Sequence, residues 1–210
     1  MTNPDTGCFI AFEGGEGAGK STQAKLLGQW LTGEGYDVLL THEPGATAVG
    51  QQVRQIVLDP ATGRISHRTE ALLYAADKAE HVDSMVLPAL QRGAVVVTDR
   101  YVDSSLAYQG AGRGLDEQLE QMLRWATRDL RPDLTVLLDV PPSEGMGRFE
   151  ERDRIEAEGL EFHEKVRQMF LKLAETHDGY LVVDGRRPLE EIASQVQQAV
   201  APLLRKAIRA

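Results

Sequence analysis

Gly14-Gly15-Glu16-Gly17-Ala18-Gly19-Lys20-Ser21 places a glycine, four residues, then Gly-Lys and a hydroxyl in one short run. That spacing is built to hold a polyphosphate. Backbone N–H groups converge on phosphate oxygens where no Cβ intervenes, a helix beginning near Gly19 aims its positive end at the same point, and Lys20 adds a mobile cation. Ser21 is suited to ligate Mg²⁺. The apolar run Cys8 to Phe12 before the motif and the helical pattern Thr22 to Leu31 after it supply the strand and helix that the motif requires.

Further along, Asp99-Arg100-Tyr101 closes the run Val95-Val96-Val97-Thr98. An Asp after such a strand resembles the carboxylate that orients Mg²⁺ in phosphate-loop enzymes. Arg100 beside it is expected to face an acceptor phosphate, since a guanidinium fork binds two oxygens at once. The stretch from Gly145 to Arg167 is densely charged, with Arg148, Arg152 and Arg154 among many acids. A solvated face laced with ion pairs is its default reading. Because it follows the fourth strand at the same rim, it also reads as a lid that brings an arginine to the donor phosphates, with Gly145, Gly147 and Gly159 as hinges.

These groups need a frame. Apolar runs at Cys8–Phe12, Val38–Leu40, Val95–Val97, Thr135–Leu138 and Leu181–Val183 alternate with helical segments, which implies a parallel sheet covered on both faces. Ligands in such sheets bind beyond the carboxyl ends of the strands, the rim where Glu13, Glu43, Asp99, Asp139 and Asp184 fall; Asp139 and Asp184 read as strand-end caps. A helix over about Thr69 to Leu90 is expected to bury Leu72, Leu73, Ala76, Ala79 and Val82. On periodicity alone, Tyr74 reads as an amphipathic core residue and Lys78 as a solvated charge. Ser104 to Gly110 reads as a helix start that breaks into a loop, Asp116 to Leu130 as a helix whose Trp125 is core or a subunit contact, and Leu189 to Ile208 as packing.

The 210 residues suit one α/β domain. A net charge of -9 argues against wrapping DNA or RNA, which draws on clustered Lys and Arg. Cys8 is the single cysteine, which excludes an intrachain disulfide and a Cys-based zinc cage. The opening Met1 to Gly7 is short and polar, so neither a signal peptide nor a membrane span is read there, and a cytoplasmic protein is expected. A GTPase would carry an Asn-Lys-x-Asp or Thr-Lys-x-Asp reader, whereas Asn3 is the one asparagine. A transporter-type ATPase would carry Ser-Gly-Gly-Gln, which is missing. A compact kinase of small molecules remains.

Phe12 to Thr22, Glu43-Pro44-Gly45 with Thr47 and Gly50, Leu72-Leu73-Tyr74-Ala75-Ala76-Asp77, Asp99-Arg100-Tyr101, Ser104-Ser105 with Ala107-Tyr108-Gln109-Gly110, and Asp153-Arg154-Ile155-Glu156 resemble, in order, the blocks of the thymidylate kinase family, from about residue 8 to 185. The resemblance implies a P-loop NTPase over 1–210: a five-stranded parallel sheet flanked by helices, with a flexible 1–7 and a helical lid over 145–160. It implies transfer of the ATP γ-phosphate to dTMP, with Mg²⁺, usually in a homodimer. By position, Gly14, Gly15, Glu16, Gly17, Ala18, Gly19, Lys20, Ser21 and Thr22 would hold ATP, and Ser21 and Asp99 the metal. Arg100 would bind the dTMP phosphate with Arg54. Glu16 would approach the 3'-hydroxyl, and Tyr108 would crowd the 2' position.

With no basic residue inside its phosphate loop, the chain resembles the form whose lid supplies one, from Arg148, Arg152 or Arg154. Two positions depart from the family pattern. Lys78 stands where an arginine is common, a point charge in place of a fork. Ala46 replaces a glycine and is expected to restrict positive φ and shift its loop. The competing readings are a kinase of another nucleoside monophosphate and a catalytically silent nucleotide-binding module.

Overall fold

A computed structural model describes residues 6–115, 117–146 and 153–208. Five strands, β1 (Cys8–Gly14), β2 (Val38–His42), β3 (Val95–Asp99), β4 (Leu134–Asp139) and β5 (Tyr180–Asp184), form one parallel sheet in the order β2-β3-β1-β4-β5. Every residue of β1 is buried. Its side chains alternate: Cys8, Ile10 and Phe12 meet Ala24, Leu27 and Val196 on one face, while Phe9 and Ala11 meet Ala71, Ala75 and Leu123 on the other. A strand covered on both sides therefore reads as a continuous apolar run.

The helices are α1 (Lys20–Gly33), α2 (Ala48–Leu58), α3 (His67–His81), α4 (Leu87–Gln91), α5 (Val102–Ser105), α6 (Glu117–Ala126), α7 (Pro142–Gly145), α8 (Leu160–Thr176) and α9 (Leu189–Val200). α3 passes through a π turn at Val82–Val86 into α4, and α5 continues as a π turn through Leu106–Gly112. The segment after Ser104 therefore stays helical to Gly112 instead of breaking early. The chain runs from β1 to the edge strand β2, back to β3 beside β1, and then to β4 and β5 on the other side, so the carboxyl ends of β1 and its neighbours bound a crevice where a ligand fits.

The expected core face of α3 is corrected. Val82 is buried and Ala79 packs against the core as expected, but Leu72 is 59 % exposed and Ala76 is exposed, whereas Glu70, Ala71, Ala75, Asp77, Lys78 and His81 are buried. Polar side chains turn inward because they have partners at the crevice, and this defeats a count of apolar positions. Trp125 is 82 % exposed and is not core.

Candidate active site

β1 brings the chain to the rim at Gly14, and the loop turns through Gly17 (φ 70) and Gly19 (φ 93) into α1. Gly19, the cap of α1, has no side chain to occupy the first-turn N–H groups, which leaves them for an anion. A Cβ on Gly17 would stand 2.3 Å from the Gly145 carbonyl oxygen, and one on Gly145 would stand 2.2 Å from that of Glu16. The phosphate loop and the root of the lid thus touch backbone to backbone, and Gly145 serves close approach. Gly159 has open space and φ -70, so neither clash nor strain requires glycine there. Gly147 lies outside the described residues.

Lys20 is buried, and its Nζ donates to the Gly15 carbonyl at 2.7 Å. Burial and the nearby Arg100 depress its pKa, opposed by Glu16, Asp99 and Glu13. Ser21 Oγ donates to Asp99 Oδ2, and Asp99 Oδ1 is buried with no hydrogen-bond partner.

Arg100 follows β3 with φ 71, a left-handed backbone that side chains adopt only under constraint. Its N–H donates to Phe12 O at 2.9 Å. The next turn is held by the buried carboxylate of Glu13, whose Oε1 accepts from Tyr101 N at 2.9 Å and Ser104 N at 3.1 Å, while Oε2 accepts from Ser104 Oγ at 2.6 Å. The guanidinium donates to Glu16 Oε1 at 2.7 Å and Ser104 Oγ at 3.2 Å and lies over the Tyr108 ring. Tyr108 also donates to Glu16 at 2.9 Å. Burial pushes the Glu16 carboxyl up, but Arg100 and Lys20 outweigh it and set its pKa at about 2.

Glu13 goes the other way: burial, with Asp103 adding, lifts it from 4.5 to about 7. A carboxyl raised on folding favours the native state fully below its unfolded value, and that contribution is lost as pH rises through the folded value. Glu13→Gln keeps an acceptor for both N–H groups and removes the charge. The variant is therefore expected to gain thermal stability over the parent at pH 8 and to lose that advantage toward pH 5. Parallel melting curves at the two pH values check this, and an advantage that does not change with pH contradicts it.

The Glu43-Pro44-Gly45 turn contains a cis peptide before Pro44 and carries a buried network. Glu43 accepts from Lys78 Nζ at 2.5 Å and pairs with His81 Nδ1 at 2.7 Å, and His81 Nε2 meets Thr41 Oγ1 at 2.7 Å. Burial opposes ionisation of Glu43, yet Lys78 and His81 hold its pKa below the usual value. Lys78 is therefore not the solvated charge that periodicity suggests; its side chain is 2 % exposed. Gly45 takes the left-handed turn at φ 110 and donates to Asp77 Oδ1 at 3.0 Å. A Cβ on Gly50 would meet that same oxygen at 2.3 Å, so this loop is fitted around Asp77. Ala46 has no positive φ, in keeping with the restriction expected of a residue that carries a Cβ. Arg54 donates to Pro44 O at 3.0 Å.

One cavity of about 870 Å³ gathers these groups. Glu16, Gly17, Ala18, Gly19, Lys20, Ser21 and Thr22 line it together with Asp99 and Arg100, and Arg54, Tyr74, Lys78, Ser105, Tyr108 and Gln109 line its walls. Asp153, Ile155 and Glu156 of the lid line it as well, and Arg154 does not. Arg154 turns away, giving Nε to Val57 O at 2.8 Å, Nη2 to Glu70 and its backbone N–H to Leu58 O at 3.0 Å. Arg148 and Arg152 lie outside the described residues. Asp139 and Asp184, read as strand-end caps, pair with Arg167 and Arg186.

Glu13, Glu70, His81 and Arg113 were not singled out by sequence reasoning as parts of the site. Glu13 and Glu43 carried a signal in their strand-end positions. Glu70 and His81, on a helix with ordinary spacing, carried none.

A parallel sheet with a phosphate loop at its central strand, and an arginine bonded to that loop's own Glu16 on the wall of one shared cavity, defines a P-loop kinase. Comparison with known proteins agrees. A family model described as thymidylate kinase matches residues 12–196. A thymidylate kinase of Cutibacterium acnes is 56% identical over 202 residues, covering 95% of this chain and 99% of that protein. Those of Clavibacter michiganensis subsp. michiganensis (51%, covering 95% and 97%) and Desulfovibrio desulfuricans (43%, covering 94% and 97%) are also similar. The chain belongs to the thymidylate kinase family.

Proposed function

We infer that the chain phosphorylates dTMP to dTDP with ATP as donor, and that the residues above hold the two substrates end to end. The single observation carrying this reading is that the phosphate loop and the Arg100 guanidinium open onto the same cavity; had they faced separate surfaces, no phosphoryl group could pass between them. The loop amides and Lys20 bind the donor phosphates. Arg100, helped by Arg54, binds the acceptor phosphate and aligns its oxygen with the γ-phosphorus. The bond to that oxygen forms as the bond to the β–γ bridging oxygen breaks, with no covalent enzyme intermediate. Catalysis of this kind is alignment and neutralisation of charge in a site closed to water. Glu16, kept ionised beside Arg100 and Tyr108, accepts from the deoxyribose 3'-hydroxyl, and Tyr108 fills the space a 2'-hydroxyl would need. Tyr74, Lys78, Ser105 and Gln109 enclose the base. The Lys78 ammonium keeps N–H bonds beyond the one given to Glu43 for a base carbonyl. With Arg154 bound to Glu70 and Val57, the donor phosphates are left to Arg148 or Arg152.

Ser21 and Asp99 fit a divalent cation, because Asp99 Oδ1 is a buried oxygen in want of a partner. Among the described residues, no group of three or more His, Cys, Asp or Glu makes a cage, as befits Mg²⁺ that takes its other ligands from phosphates and water. When bound, the ion offsets negative charge on the donor phosphates.

Coupled assay of ADP release with dTMP, dUMP, dCMP, dGMP and UMP tests the reading. Release is expected to be fastest with dTMP; a preference for another acceptor overturns the substrate assignment, and no acceptor-dependent release favours a silent binding module.

We also propose a homodimer in the cytoplasm; none of the described helices is long and apolar enough to cross a membrane. α3 packs against α2 and α6, and these three helices expose Val49, Ile56, Leu72 and Trp125. Large apolar groups left on neighbouring helices favour a partner surface. Light scattering is expected to give twice the chain mass for the parent and the chain mass for a Leu72→Glu, Trp125→Glu double variant. A parent of single mass removes the dimer.

A further inference from the structure

Glu70 lies in the first turn of α3, fully buried, on a helix face that sequence spacing gave no reason to single out. Its Oε1 accepts from Gln109 Nε2 at 3.0 Å and from Arg113 Nε at 3.1 Å, and its Oε2 accepts from Arg113 Nη2 at 3.3 Å and from Arg154 Nη2. Burial works against the charge, but the bonds from Arg113, Gln109 and Arg154 prevail and hold the carboxyl below its ordinary pKa. It is therefore an ionised acceptor flanked by two guanidinium groups.

An ionised carboxylate has no proton to give. The amide of Gln109 must turn its NH₂ toward Glu70, which fixes which end is nitrogen by chemistry and not by choice of fit. The Gln109 carbonyl oxygen is then the end left for a ligand, and Gln109, itself 2 % exposed, lines the cavity with Tyr74, Lys78 and Ser105. A carbonyl acceptor at the base end suits a ring whose N3 bears hydrogen, as thymine and uracil do. The N3 of cytosine is an unprotonated acceptor, so the same oxygen would meet it lone pair to lone pair.

We propose that Glu70 is a positioning residue for base selection: it locks the amide of Gln109 with its oxygen toward the base, and so favours pyrimidines with an N3–H over cytosine. The proposal rests on the dTMP reading above and adds to it a residue that never touches the nucleotide. A buried hydrogen bond offered to the wrong partner costs far more than a missing methyl group, so the discrimination is large.

The test is the ratio of kcat/KM for dTMP and for dUMP over that for dCMP, in the parent, Glu70→Gln and Gln109→Met. The neutral amide that Glu70→Gln introduces can donate or accept, which frees the Gln109 amide to turn over. Both ratios are expected to fall by about tenfold or more in Glu70→Gln, while the dTMP to dUMP ratio and the KM for ATP hold steady. A residue that only supported the fold would slow all acceptors alike and leave the ratios within about twofold of the parent, which overturns the proposal. Gln109→Met is expected to lower the same ratios; unchanged ratios there overturn it too. If the parent does not favour dTMP over dCMP, the substrate reading itself fails; if it does and Gln109→Met erases the preference while Glu70→Gln keeps it, only the role of Glu70 fails. A measurement on the unaltered protein stands whether or not Glu70→Gln folds. The Gln109 side-chain amide signal, identified by its loss in Gln109→Met, is expected to exchange slowly with water, and rapid exchange overturns the lock.

Discussion

Arg100→Ala is expected to lower kcat/KM for dTMP by about 10³-fold, the scale of an arginine that stabilises transition-state charge in phosphoryl transfer, or about 4 kcal/mol of transition-state stabilisation. The guanidinium is wrapped by Glu16, Ser104 and Tyr108, so its position is set before substrate arrives and little ordering remains to be done during reaction. The loss is expected mostly in the dTMP terms, with the KM for ATP changed by only a small factor, because the loop amides and Lys20 stay in place. The backbone supplies a control. At φ 71, alanine inherits the strain that arginine bears, whereas glycine relieves about 1 kcal/mol of it. Arg100→Gly should thus melt above Arg100→Ala while being equally inactive, separating the side chain's chemistry from the turn that presents it. Near-normal turnover in Arg100→Ala would remove this arginine from the reaction.

Lys20→Ala is expected to abolish measurable transfer, a fall of at least about 10³-fold, since Arg100, the cation beside it, is held by Glu16 and does not replace a preorganised charge at the transferring phosphoryl group. Stability should not follow activity. The ammonium is buried, its pKa is depressed by that burial and by Arg100, and its bond is to a carbonyl of its own loop. Removing it relieves charge crowding in the empty site, so the variant should melt at or above the parent temperature. Such a trade is common where a binding group is held ready at the expense of the fold. An inactive variant that also melted far below the parent would assign Lys20 to structure. Retained transfer would leave the phosphate loop without its expected part.

Both predictions depend on features of very different legibility. The phosphate loop could be read directly, because its chemistry is local: glycines, lysine and hydroxyl act on one ligand through consecutive backbone atoms. The five strands were legible for a related reason, since a strand buried on both faces must be apolar throughout, as the wholly buried β1 is. The acidic network was not. Glu70 and Gln109 stand 39 residues apart, and Lys78 and Glu43 stand 35 apart; periodicity treats a charge without a visible partner as solvated. Leu72 misled in the opposite sense, as an apolar residue that the helix leaves outside.

By itself the sequence determined that a phosphate cradle exists, that a parallel sheet carries it, and that Asp99 and Arg100 end a strand at the same rim. Those conclusions follow from short-range geometry, which the order of residues specifies. Tertiary structure alone decided that Glu16 and Arg100 pair directly at the cavity wall, that Arg154 is drawn off to Glu70 and that Lys78 is buried against Glu43. Each of these depends on whether a charge finds its counter-ion before water does, and that is settled only when distant parts of the chain are folded against one another.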